Sequence, residues 1–119
     1  MNKYTGLSDF EINLMVARIR LVDGNYGWCA HTRFVKRYVT DDKGLCMTYD
    51  PCNNPTDAMP IIIENNISLR APTITDRWKA EFIDEYGNYV GYRRALNKNP
   101  LRAAMELFLL MKDAENEKV

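Results

Sequence analysis

Apolar residues recur at helical spacing near both ends of the chain and alternate with polar ones between. Ile12, Met15, Val16 and Ile19 stand three and four residues apart, with Val22 extending the row, which is the spacing of one helix face. Ser8 and Glu11 have the form of a capping box, and Leu7 can staple onto the first turn. Asp23-Gly24-Asn25 supplies a stop, with Gly24 suited to a left-handed residue past a helix end. The pattern predicts a helix over about Asp9–Leu21.

The second stripe is wider. Asn99 is a good cap and Pro100 a good first helical residue. Leu101, Ala104, Met105, Phe108 and Met111 follow at helical spacing, and Leu107, Leu109 and Leu110 broaden the face. A helix apolar on so much of its surface is central to the fold or buries its extra side in a partner, a second copy of the chain included. Ala114–Val119 is a charged tail expected to fray.

Between the helices the period falls to two. Trp78, Ala80 and Phe82 alternate with Lys79 and Glu81, as in a half-buried strand. Glu85–Asn88 reads as a turn, and Tyr89, Val90 and Tyr92 as the returning strand. Ile67-Ser68-Leu69 can begin another. Tyr26, Trp28, Phe34, Val35, Tyr38 and Val39 favour strands by type. Asp41–Gly44 is a turn signal, so a hairpin of about Phe34–Thr40 against Leu45–Tyr49 is expected. Around Ile61-Ile62-Ile63 we expect a short helix capped by Thr56 or Asp57, with Pro60 in its first turn and a left-handed asparagine at its end. The expected fold is α+β in a single domain, residues 1–119. A small antiparallel sheet carries the Tyr26–Tyr49 and Ile67–Tyr92 strands, packed by the N-terminal and C-terminal helices.

Charge adds little to this outline, since 16 basic and 16 acidic residues balance. That removes any general argument for DNA or membrane binding but leaves local basic patches open. The three cysteines, Cys29, Cys46 and Cys52, are odd in number and cannot all pair within the chain. No signal peptide and no membrane-length apolar run are visible, so a reduced, cytoplasmic location is expected.

Candidate chemistry is sparse. Cys29, His31, Cys46 and Cys52 lack the close pairing of a zinc site, and Cys29 with His31 lacks an orienting group. There is no phosphate-binding glycine motif and no metalloprotease motif. We expect no catalytic residue, metal or cofactor. Three readings remain. The first is non-catalytic binding of a macromolecule through the Pro51–Pro60 loop region, using Asp50, Cys52, Asn53, Asn54 and Asp57. The second is nucleic-acid binding through Arg33, Lys36, Arg37, Arg93, Arg94 and Arg102, with Phe34 and Tyr38 interleaved. The third is a small hydrolase or metal enzyme built on Asp50, Cys52, Asp57 and Glu64, which requires their convergence.

The run from Tyr49 to Glu64, YDPCNNPTDAMPIIIE, resembles the central motif of the NinX family of lambdoid phages and prophages. Ile67-Ser68-Leu69, Tyr4-Thr5-Gly6-Leu7, Trp78 and Asn99–Met105 are similar to further family segments in the same order. The chain departs from the pattern at Pro55, where tryptophan is usual, and at Ala58-Met59, where glycines are usual. The resemblance implies a phage or prophage accessory protein, with a host or phage macromolecule as its partner and the host-cell cytoplasm as its location, and names no catalytic residue.

Overall fold

The computed structural model describes residues 2–39, 45–83 and 89–117. The expected turns at Asp41–Gly44 and Glu85–Asn88 lie outside the described residues. Helix α1 spans Asp9–Arg20. Its capping box is present, with Ser8 Oγ accepting from the Glu11 N–H and the Glu11 carboxylate accepting from the Ser8 N–H. Gly24 takes φ +77°, the left-handed conformation that favours glycine.

Strands β1 (Tyr26–Cys29), β2 (Phe34–Tyr38) and β3 (Cys46–Thr48) form one antiparallel sheet with β2 in the middle. Its register places Trp28 opposite Val35, and Lys36 between Gly27 and Thr48. Tyr26, Trp28, Val35, Arg37 and Met47 therefore share one face, and Cys29, Phe34, Lys36, Tyr38, Cys46 and Thr48 the other. The first face meets α1: Val35 is buried there, and Arg18 of the helix covers Trp28 at 5.9 Å.

Strands β4 (Ile67–Arg70), β5 (Trp78–Ile83) and β6 (Tyr89–Asn97) form a second antiparallel sheet, centred on β5. The described residues thus form two three-stranded sheets where one was expected. Helix α2 (Pro55–Glu64) and the segment before it separate the two strand groups, and helix α3 (Pro100–Glu117) runs between α1 and the second sheet. The layers are sheet, α1, α3, sheet, with α2 beside α3. Ala80 and Ala95 on the sheet, with Ala103 and Ala104 on the helix, are all buried, and such small side chains let helix and sheet pack closely.

Every residue from Arg102 to Leu109 is buried. The wide stripe of α3 is therefore covered by its own chain, and the argument it offered for self-association falls away. Helix α3 also continues to Glu117, past the point where fraying was expected. Helix α2 forms as expected but with a different cap. Asn54 Oδ1 accepts from the Thr56 N–H at 3.0 Å, Pro55 opens the helix, and Pro60 lies inside it. Asn54, two residues before Thr56, outcompetes Thr56 and Asp57 because Pro55 fits the first helical position. The helix is followed by Asn66 in the left-handed region, at φ +54°.

Candidate nucleic-acid interface

The segment Asp50–Asn54 binds the three helices together. Asp50 Oδ1 accepts from Asn13 Nδ2 at 2.7 Å and from Asn53 Nδ2 at 3.1 Å, and its N–H donates to Asp57 Oδ2 at 2.9 Å. The Cys52 N–H donates to Asn13 Oδ1 at 3.0 Å. Asn53 Nδ2 also reaches Asp9 Oδ2, and Asn99 Nδ2 donates to the Cys52 carbonyl at 2.7 Å and to Asn53 Oδ1 at 3.0 Å. Asn99 Oδ1 meanwhile caps α3 through the Leu101 N–H. The expected recognition loop also serves as a joint. Asp50, Asn53, Asn54 and Asp57 make hydrogen bonds within the fold, with Asn53 and Asn54 still exposed, and Cys52 is fully buried. A buried thiol cannot meet a partner, and burial also pushes its pKa up, which makes it a poor nucleophile.

The catalytic set does not converge. Asp50 contacts Asp57 only through its backbone N–H, Glu64 pairs instead with Arg20, and Cys52 lies under the Asp9 carbonyl. Cys29 is exposed at the end of β1, and hydrogen bonds from Thr32 hold its thiol below the usual value. Among the described residues, no group of three or more His, Cys, Asp or Glu side chains is arranged to hold a metal ion. No helix among them is long and apolar enough to cross a membrane.

The six expected nucleic-acid contacts separate. Arg102 leaves the set, being only 5% exposed. Its guanidinium donates to Glu106 Oε2 at 2.8 Å, to Asp9 Oδ1 at 2.7 Å and to the Tyr4 and Leu7 carbonyls. Desolvation lowers the Arg102 pKa, but Asp9 and Glu106 outweigh it and the net shift is upward. The cation is therefore fixed inside the protein. Arg94 is exposed on the second sheet, and the side chain of Arg93 lies outside the described residues. Arg37 faces the α1 side of the first sheet, whereas Lys36 faces outward.

What remains together is the outer face of the first sheet. Phe34, Lys36 and Tyr38 alternate along its central strand and point the same way. Phe34 is 55% exposed although it is a large apolar side chain. The Tyr38 ring is held against the neighbouring strand, because a Cβ on Gly27 would lie 2.7 Å from the Tyr38 hydroxyl oxygen. Glycine at that position gives the ring its seat. Arg33, just before the strand and in the left-handed region at φ +61°, turns instead towards α1, with its guanidinium 5.2 Å from the Phe10 ring and donating to Ser8 Oγ at 2.7 Å. Beside it opens a cleft of about 190 Å³, whose lining includes Asp9, Phe10, Arg33, Phe34, Asp50 and Asn53. No Asp or Glu stands between residues 24 and 40 or 45 and 49. Among the described residues, no ion pair involves Arg33, Lys36 or Arg37. The sequence contained the signal, an aromatic-x-lysine-x-aromatic run, but not the exposure or the central position of the strand.

Residues 3–112 match the family described as bacteriophage P22 NinX, and the chain belongs to that family. It is a phage or prophage accessory protein, and membership carries no assigned reaction. No curated protein and no solved structure matches it.

Proposed function

We propose that this accessory protein is a non-catalytic binding protein that takes single-stranded nucleic acid on the outer face of the β1–β3 sheet. The observation that supports the reading is the set Phe34, Lys36 and Tyr38 on one exposed face of the central strand, on strands that carry no carboxylate. Aromatic rings offer stacking platforms to any base, and the lysine offers a phosphate contact. The same pairing of ring and cation has no use in a hydrolytic site, where convergent acid and base groups are needed.

Anisotropy of a labelled oligothymidylate titrated with the protein tests this. Binding at low salt should weaken as salt rises, with a log–log slope of about −0.7 per phosphate neutralised. Phe34→Ala should weaken it by about 1–3 kcal/mol, the usual worth of one stacked base, with the thermal midpoint unchanged. Absence of low-salt binding, or a Phe34→Ala protein that binds as well as the parent, rules the reading out.

A further inference from the structure

The second sheet also has an outer face, and its chemistry is different. The register aligns Arg70, Lys79 and Leu96 in one rung and Ser68, Glu81 and Arg94 in the next. Glu81 is a carboxylate only 3% exposed on a face that points away from α3. Arg70 reaches it at 3.2 Å and Lys79 at 3.8 Å. One carboxylate thus faces two cations that its own charge cannot balance.

The β4–β5 connection lies over the first rung. Together they enclose a cleft of about 270 Å³, lined by Arg70, Arg77, Lys79, Thr73, Thr75 and Leu96 among others. Arg77 brings a third cation, and among the described residues it has no ion-pair partner. The one acid of the connection, Asp76, is engaged with Lys98 at 3.1 Å, which ties the loop to the chain entering α3. Arg70 donates one guanidinium N–H group to Glu81 and keeps others for a second acceptor. The two threonine hydroxyls add neutral donors.

From this arrangement we infer that the cleft between the β4–β5 connection and the Arg70–Lys79–Leu96 rung binds a phosphate group. Its donors match phosphate oxygens in number and charge. Leu96 and Ile74, both exposed, give an apolar flank to whatever carries that phosphate. The carrier is a free phosphorylated small molecule or a nucleic-acid backbone, and the chemistry of the cleft is common to both. The site does not depend on the β1–β3 face.

Backbone amide shifts of residues 71–79, followed by NMR in low-salt buffer, test the inference with three probes: inorganic phosphate, thymidine 5′-monophosphate and an oligothymidylate. Saturable shifts in that segment are expected. Response to phosphate and the mononucleotide assigns a free small molecule; response to the oligonucleotide alone assigns a backbone phosphodiester. Arg77→Ala should weaken binding roughly tenfold or more through loss of a charged hydrogen bond. Glu81→Gln should tighten it several-fold by removing the competing carboxylate, and if that variant does not fold, Arg77→Ala decides alone. The inference is overturned if none of the probes gives saturable shifts in that segment, or if Arg77→Ala leaves the response intact. Phe34→Ala must leave the phosphate shifts unchanged, which separates this site from the sheet face discussed above.

Discussion

Arg102 and Arg77 are the same residue type in two opposite settings. Arg102 sits at the joint between α1 and α3, where four of its N–H groups meet two carboxylates and two carbonyls. Arg77 stands on an exposed connection at the far sheet, where its guanidinium lines a cleft. The asparagines divide in a similar way. Asn13, Asn53 and Asn99 cross-link the helices, whereas the sheet faces present aromatic and cationic groups to solvent. A polar residue on this fold belongs to the architecture when its donors close a network, and is open to a ligand when the fold leaves them facing outward. Residue type alone does not separate the two.

The sharpest break of that contrast is at Arg102. Arg102→Ala would leave Glu106, which is fully buried, without its cation, and removing one member of such a pair costs about 3–5 kcal/mol. Urea unfolding should show that loss, whereas Arg77→Ala should stay within about 0.5 kcal/mol of the parent, as surface changes usually do. Arg102→Lys should restore little, because an ammonium cannot reproduce the planar fork that reaches Asp9, Glu106 and two carbonyls together. Equal stability of Arg102→Ala and Arg77→Ala would erase the distinction.

The limits of sequence reading follow the same line. The capping box at Ser8, the left-handed Gly24, the Asn99-Pro100 start and the alternation at Trp78–Phe82 are local features, decided within four residues, and each was legible. The number of sheets was not, because it depends on where α3 runs relative to the strands. Arg102 looked like part of a basic surface since Arg93 and Arg94 precede it. Its carboxylate partners, Asp9 and Glu106, lie 93 and 4 residues away, and only the distant one marks the site as a joint. The 50–54 segment hid its structural role in the opposite way, since its asparagines read as a recognition rim and only the fold brings Asn13 and Asn99 to them. The outer rung of Arg70 and Lys79 needed strand pairing across the β4–β5 connection.

A smaller effect separates the tyrosines. Tyr49 is buried, and its hydroxyl is pushed up to about 12, chiefly by desolvation and then by Asp57. Tyr4, hydrogen-bonded to Asp113, is likewise raised to about 12 by desolvation and then by that bond. A folded value above the unfolded one means the native state holds the proton longer. The stabilisation is whole below about pH 10 and is lost as pH rises towards 12. Stability should therefore be flat to about pH 10 and then fall by on the order of 2 kcal/mol, discounted for partial solvent screening. Tyr49→Phe should flatten part of that slope, and spectrophotometric titration should find two late phenols. Titration of every tyrosine near pH 10 would show that these two hydroxyls are not held by the core.

The smallest change in stability should come at Gly27, and there the comparison is most discriminating. Alanine removes conformational freedom from the unfolded chain, a gain of about 0.4–1 kcal/mol where the backbone permits it. Gly27 does not occupy a left-handed conformation, so its backbone raises no objection. The obstacle is the Tyr38 ring, whose hydroxyl oxygen would lie 2.7 Å from the new Cβ. The ring must lift from its seat, and the packing it loses offsets the gain. Gly27→Ala should thus unfold within about 0.5 kcal/mol of the parent while its affinity for oligothymidylate drops, because a displaced ring no longer lies flat for a base. An architectural glycine would show the reverse, with stability lost and binding kept among the molecules that still fold. Measuring both on one variant decides whether the β1–β3 face belongs with Arg77 or with Arg102.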